Sequence, residues 1–390
     1  MLAAPAARYS RVARFRFKLF AVRCDLLIVG AGPAGCAAAV AARRAAPRLQ
    51  VWVVDAARFP REKPCGGAIT GGGLRELELA GLALRVPHAV ATHVVLRAAG
   101  RAERVALPHP AVVVRRREFD ADLVVQAREA GATVLEEARL DGIEGEVAIT
   151  GRGNVRFGAM IAADGVSGAS RRALGLGAGR RVPLRVARLS TARQWDLVFD
   201  LDVGFPGYAW RFPCIDSGQA AESCGVYSTG GARELDDALA RFARREGVLV
   251  GPLERSAIRL FDPKGPVGSG KILLAGEALG VDPLAGEGIR YALWSGRLAG
   301  RLAAVALRRG RAPSPRAYRV RLLGSRSGLV LELAARLAPR LYGPDPRWRR
   351  AAADRQVAQA FAALVSGEGP AWPLLALLQR YPAIATRPRP

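Results

Sequence analysis

From Cys24 to Val29 the chain is apolar apart from one polar position, Asp25, and Gly30, Gly32 and Gly35 then break the run before an alanine-rich stretch from Cys36 to Arg44. This order reads as strand, tight turn and helix. Gln50 to Val54 is a second apolar run closed by Asp55, completing a βαβ start of about the 30 residues that such a unit requires. A parallel, doubly wound sheet is therefore expected.

The glycines stand in G-x-G-x-x-G spacing, with Asp55 twenty residues past the last of them. In this setting the motif is a dinucleotide fingerprint. Gly30 permits the turn, Gly32 lets the backbone approach a pyrophosphate, and Gly35 allows close helix packing, while the helix N-terminus offers unpaired N–H groups to the anion. Asp55 would accept a hydrogen bond from the adenosine ribose. The motif alone does not separate NAD from FAD.

With 390 residues the chain has room for roughly two or three domains. Its formal charge of +25 points toward an anionic partner, yet arginine supplies nearly all of it and only Lys18, Lys63, Lys264 and Lys271 are lysines. No aromatic-interleaved basic stripe accompanies the charge, so nucleic acid is not expected as a partner. Cys24, Cys36, Cys65, Cys214 and Cys224 are odd in number and show no paired metal-ligand spacing; no metal site is expected and a reducing cytoplasm fits best. No run is long and apolar enough to span a bilayer, and Met1 to Arg23 reads as a basic extension without a signal-peptide core. Any membrane contact would be peripheral.

Further along, Ala56 to Gly73 reads as an extended Pro- and Gly-rich loop, Glu118 to Gly131 as an amphipathic helix, and Met160 to Ala163 and Lys271 to Ala275 as buried strands. Arg181 to Asp262 is strand-like, with alternation from Leu197 to Val203. Helices are expected over Ala317 to Leu341, Asp345 to Val365 and Trp372 to Tyr381. The expected fold is α/β. A discontinuous Rossmann-like nucleotide domain (24–90, 105–180, 265–312) carries an inserted, mainly antiparallel β substrate domain (91–104, 181–264) and a helical C-terminal region (313–390).

The succession Gly30-Ala31-Gly32-Pro33-Ala34-Gly35, Pro60 to Gly67 (PREKPCGG), Ala163-Asp164-Gly165, Tyr208 to Pro213 (YAWRFP), Gly276-Glu277 and Asp282 to Ile289 (DPLAGEGI) resembles the geranylgeranyl reductase family of FAD enzymes. The resemblance runs from about Asp25 to Arg301. It implies a p-hydroxybenzoate hydroxylase-like fold with FAD extended beneath the substrate domain, held by Gly30, Gly32, Ala34, Gly35, Asp55, Cys65, Gly66, Arg116, Asp164, Gly276, Glu277, Gly286, Gly288 and Ile289. The helix opening at Gly288 and Ile289 would face the flavin pyrimidine edge and stabilise negative charge on the reduced ring. Glu277 departs from the aspartate of the wider pattern. Its extra methylene moves the carboxylate by about 1.5 Å, so its hydrogen bond to the ribityl chain must be re-aimed.

Tyr208, Trp210 and Phe212 alternate and would present one apolar wall with two polar tips, suited to an isoprenoid chain. The resemblance places Cys65 near the reacting centre, where a thiol would position substrate or help deliver a proton; by residue type alone it is equally a small buried side chain. The implied activity is reduction of C=C bonds in a geranylgeranyl or other isoprenoid lipid, with NAD(P)H, ferredoxin or a quinone pool as electron donor. An oxygen-using hydroxylase on the same fold and a non-catalytic flavin or electron-relay protein stay open. Halogenation is disfavoured, because no lysine lies between Gly66 and Arg117. His88, His93 and His109 lie away from the motifs and are poor candidates for a catalytic acid.

Overall fold

The computed structural model describes residues 22–189, 194–231, 234–248, 251–343 and 350–366. The expected helix at Trp372 to Tyr381, most of the basic extension and part of the expected helix at Asp345 to Val365 lie outside the described residues.

In chain order the strands are Val22–Val29 (β1), Val51–Val54 (β2), Ala68–Ile69 (β3), His88–Ala98 (β4), Arg101–Val114 (β5), Thr133–Leu135 (β6), Leu140–Glu144 (β7) and Val147–Thr150 (β8). Gly153–Ala162 (β9), Arg181–Leu189 (β10), Leu197–Asp200 (β11), Gly207–Asp216 (β12), Gln219–Ser228 (β13), Glu254–Arg259 (β14), Gly268–Ser269 (β15) and Ile272–Leu274 (β16) follow. The helices are Pro33–Ala45 (α1), Gly71–Ala80 (α2), Arg116–Glu129 (α3), Ala169–Ala173 (α4), Leu235–Arg245 (α5), Ile289–Arg308 (α6), Pro315–Leu323 (α7), Arg326–Leu341 (α8) and Arg355–Ser366 (α9).

Strands that must be buried on both faces read as unbroken aliphatic runs, and β1 with β2, β6, β9 and β16 obeys this. They pair in parallel in the order β16-β9-β1-β2-β6, with Leu26, Leu27 and Ile28 fully buried at the centre. Helices α1 and α6 cover one face at very close range. A Cβ added at Gly296 or Gly300 would stand 2.1 or 2.2 Å from the Ala34 or Ala38 carbonyl oxygen, so small residues let the two backbones meet.

The second sheet has the order β14-β10-β13-β12-β11-β4-β5-β3 and is antiparallel except where β11 runs beside β4. One face of β12 carries Tyr208, Trp210 and Phe212; the other packs Ala209 against Leu235, Leu239 and Phe242 of α5. With both faces covered, every residue from Gly207 to Cys214 is buried. For the same reason β11 is buried throughout and stops at Asp200, instead of alternating to Val203.

Four sequence expectations need correction. The long loop from Ala56 ends at Gly67, and α2 begins at Gly71 because Thr70 Oγ1 caps it, accepting from the Gly73 N–H at 3.1 Å. The glycines there serve close packing: a Cβ on Gly72 would lie 2.9 Å from the Arg290 guanidinium. Helix α5 interrupts the region from Arg181 to Asp262 that reads as strand-like. The domain boundary placed at 105 falls inside β5, all of which belongs to the second sheet; Pro108 and Pro110 sit where its pairing with β4 shifts between Ala91 and His93. Finally, Ala317 to Leu341 forms two helices, since Ser325 starts a new one by accepting from the Gly328 N–H.

Candidate functional site

A cleft of about 640 Å³ separates the C-terminal ends of the parallel strands from the aromatic face of the second sheet. It is lined by Gly30, Gly32, Ala34, Asp55, Cys65, Gly66, Arg116, Asp164, Glu277, Gly286, Gly288 and Ile289, and also by Tyr208, Trp210 and Phe212. Gly35 and Gly276 stand behind its wall. A Cβ on Gly35 would come within 1.8 Å of the Gly30 carbonyl oxygen, and one on Gly276 within 2.6 Å of the Ala34 methyl group. The histidines are not among the lining residues.

At the glycine turn, Gly30 has φ +103°, and Asp55 braces the loop by accepting from Ala31 N–H at 2.7 Å and Ala57 N–H at 2.8 Å. Around Gly32 the space is open. A Cβ there would have only an Arg61 guanidinium nitrogen within 4 Å, at 3.7 Å. Arg61 itself is held by Asp120 at 3.1 Å, yet its Nη1 is buried without a hydrogen-bond partner. A space beside backbone N–H groups, overlooked by an unsatisfied guanidinium nitrogen, fits a pyrophosphate. A second unsatisfied atom lies further along. Asp164 Oδ2 accepts from Ser170 N–H at 2.7 Å, while its Oδ1 is buried without a partner, and burial raises its pKa. Opposite, Glu277 Oε2 stands 3.3 Å from Lys63 Nζ, which ties the loop before Cys65 to the segment after β16.

Arg116 gives two 2.8 Å hydrogen bonds to Asp120 and also reaches the Cys65 sulfur. Cys65 Sγ accepts from the Gly67 N–H at 3.4 Å, so the thiol is fixed at the cleft wall. Gly66 lies against the aromatic wall: a Cβ there would be 3.0 Å from Phe212 and Trp210. The two polar tips of that wall differ. Tyr208 OH donates to the Ala285 carbonyl at 2.6 Å and is thereby committed, whereas Trp210 Nε1 is buried without a partner.

The loop leading into α6 is held from three sides. Tyr227 OH donates to Pro283 O at 3.1 Å, Tyr342 OH to Leu284 O, and Tyr208 OH to Ala285 O. From within, Asp282 accepts the N–H groups of Leu284 and Ala285 at 2.8 and 3.0 Å. Gly288, Ile289 and Ala292 then line the cleft, so the positive end of the α6 dipole, with N–H groups that lack intrahelical acceptors, lies at its floor.

Sequence reasoning did not single out Arg61, Lys63, Thr70, Asp120, Phe199, Tyr227, Glu287 or Tyr342. Arg61, Lys63 and Glu287 lay inside quoted motifs, and Asp120 stands one helical turn from Arg116; for the tyrosine hydroxyls no local signal existed, because their partners are distant in sequence.

A parallel βαβ core with a glycine turn, roofed by an antiparallel sheet whose aromatic face closes the same cleft, defines the class of FAD-dependent oxidoreductases. A menaquinone reductase of Mycolicibacterium smegmatis is 32% identical over 318 residues, covering 72% of this chain and 76% of its own length. Digeranylgeranylglycerophospholipid reductase 2 of Methanopyrus kandleri is 32% identical over 321 residues, covering 73% of this chain and 77% of its own. A geranylgeranyl bacteriochlorophyll reductase-like structure from Thermoplasma acidophilum shares the fold, with a TM-score of 0.77 at 20% identity over 93% of this chain and 98% of that one. No protein-family profile matches the chain. The chain belongs to the geranylgeranyl reductase family of FAD-dependent oxidoreductases.

Proposed function

We propose that this protein saturates carbon–carbon double bonds in the prenyl chain of an isoprenoid lipid. The observation that carries the reading is an apolar chamber of about 90 Å³ that adjoins the cleft and shares Phe199, Tyr208 and Ala285 with it. Its walls are hydrocarbon: Leu96 and Leu201 from one side, Leu337 and Leu341 of α8, and Val357 and Phe361 of α9. The end of a prenyl tail seated in it would leave a double bond under Tyr208, Trp210 and Phe212 with water excluded. The name of one relative, a reductase of a digeranylgeranyl lipid, supports the same class of substrate.

In this reading the parallel sheet with α1 and α6 is the FAD domain and the second sheet the substrate domain. Gly30, Gly32, Ala34 and Arg61 hold the pyrophosphate, and Gly35 lets α1 pack close enough to the turn to present them. Asp55 retains lone pairs for the adenosine ribose. Asp164 Oδ1 and Glu277 serve the ribityl chain, with Gly276 setting the height of that segment. Gly286, Gly288 and Ile289 receive the pyrimidine edge, and Cys65, Gly66 and Arg116 border the ring, where the Cys65 thiol orients the substrate. When bound and reduced, FAD supplies the hydride. Electrons come from NAD(P)H or from a ferredoxin docking transiently, and stopped-flow reduction with each donor distinguishes them.

Filling the chamber tests the substrate reading. Ala352→Phe, at a buried position on its wall, will raise KM for a twenty-carbon prenyl lipid by about 10-fold or more, at 1–3 kcal/mol for misfit in an apolar pocket. A ten-carbon analogue will be little affected. Equal effects on both would argue against a tail in the chamber. Such a lipid also brings the protein to a bilayer, where the +25 charge favours anionic headgroups. Among the described residues no helix is long and apolar enough to cross a membrane. Flotation with anionic liposomes will fall on raising salt; salt-independent flotation would remove the electrostatic part.

A further inference from the structure

Saturating an alkene takes a hydride at one carbon and a proton at the other, and the residues assigned above account for the hydride alone. We propose that Glu287 is the acid that delivers the proton, positioned by Thr70 and Arg290; this rests on the alkene-saturation reading.

Glu287 lines the cleft between Gly286 and Gly288, and its side chain is 11% exposed. Thr70 Oγ1 accepts the Gly73 N–H at the start of α2, which leaves its own proton for Glu287 Oε1. On the other side Arg290 Nη1 stands 3.5 Å from Oε2 and reaches the Leu364 carbonyl of α9. The carboxyl group therefore has a fixed position, one partner that orients it and one cation to stabilise the carboxylate left after transfer.

Other acids in the cleft have other partners: Glu277 pairs with Lys63, and the Cys65 sulfur is held by the Gly67 N–H and Arg116. Asp282 is occupied by the backbone of its own loop, and the Tyr208 hydroxyl donates to Ala285. Asp164 sits with the segment assigned to the ribityl chain. The charged and titratable groups facing Glu287 are Arg290 and Tyr291 on α6 and Asp282 on the preceding loop, with the Thr70 hydroxyl from α2. Burial pushes the Glu287 carboxyl up to about 6; Arg290 and Thr70 oppose the shift, and Asp282 adds to it. A carboxyl group near neutrality suits proton donation.

The alkene π bond breaks, one carbon gains a hydride and its two electrons from the reduced flavin, and the neighbouring carbon gains the Glu287 proton. The flavin is oxidised by two electrons, and the Glu287 carboxylate regains its proton from water after the product leaves.

In single turnovers, wild-type saturation will fall as pH rises through about 6, because the acid form is lost there. Glu287→Gln will lower kcat about 100-fold, within the range of general acid catalysis, with KM changed less than about 3-fold and that pH dependence gone. Infrared difference spectra of flavin-free and flavin-loaded protein will show a carboxylic acid band titrating near pH 6 that Glu287→Gln removes. If Glu287→Gln does not hold flavin, Glu287→Asp, shorter by about 1.5 Å, will show the kcat loss instead. Wild-type kcat in either variant, or an infrared band untouched by the substitution, overturns the proposal. If the wild type saturates no prenyl substrate at all, the function reading fails first, and the infrared band still reports on Glu287.

Discussion

Gly32→Val will lose FAD while the chain still folds, and Gly35→Ala will lose the fold itself. Gly32 has φ −77° and ψ −173°, an extended backbone that valine adopts freely, and its Cβ would point into open cleft. Its Cβ would have only the end of the Arg61 side chain within 4 Å, an ordinary contact, and would occupy the space a pyrophosphate needs, so FAD affinity falls by at least about 100-fold, a loss of roughly 3 kcal/mol. Gly35 has no such freedom. Its Cβ would lie 1.8 Å from the Gly30 carbonyl oxygen and 2.9 Å from the Gly30 carbonyl carbon, both backbone atoms of the turn, so β1 and α1 must part. Overpacking of this kind costs about 3 kcal/mol or more. Flavin absorbance after gel filtration and a thermal melt separate the outcomes: a flavin-free, well-folded Gly32→Val and an unstable Gly35→Ala. A Gly32→Val protein with full flavin would contradict the assignment of the turn.

The second large effect concerns stability alone. Between the second sheet and α5, Arg211 donates to Glu222 at 2.5 and 3.1 Å and to Glu246 at 3.2 Å, all three side chains being under 10% exposed. Arg97 and Arg245 extend the network through Glu246 and Asp200. Removing Glu222 leaves the buried Arg211 with Glu246 alone, a carboxylate that Arg97 also engages, so Glu222→Ala will destabilise the protein by about 3 kcal/mol, the low end for a broken buried pair. Replacing both partners, as in Arg211→Met with Glu222→Leu, will recover most of that loss. Denaturant titrations of the flavin-loaded protein check both; a change below about 1 kcal/mol in the single variant would show that water reaches the network.

Much of the nucleotide half was legible because its signals are local. The apolar run to Val29, the glycines and Asp55 fall within one βαβ unit, and their spacing alone sets the turn. Helix α5 is equally legible: Leu235, Ala238, Leu239, Phe242 and Ala243 follow helical spacing and form its buried face. Other features had no local signal. Phe199 joins the aromatic wall only because β11 lies between β4 and β12. Thr70 meets Glu287 across 217 positions, and the hydroxyl of Tyr208 donates to Ala285, 77 positions away. Strand alternation placed Tyr208, Trp210 and Phe212 on one face but could not tell which tip stays unsatisfied.

The most direct measurement is anaerobic. The purified protein, with its flavin reduced, is mixed with a geranylgeranyl lipid while visible absorption follows the flavin and mass spectrometry follows the lipid. The account predicts that the flavin reoxidises without oxygen and that the lipid gains two hydrogens per turnover. A flavin that stays reduced until oxygen enters, with the lipid unchanged in mass, would contradict it and favour an oxygen-using hydroxylase on the same fold.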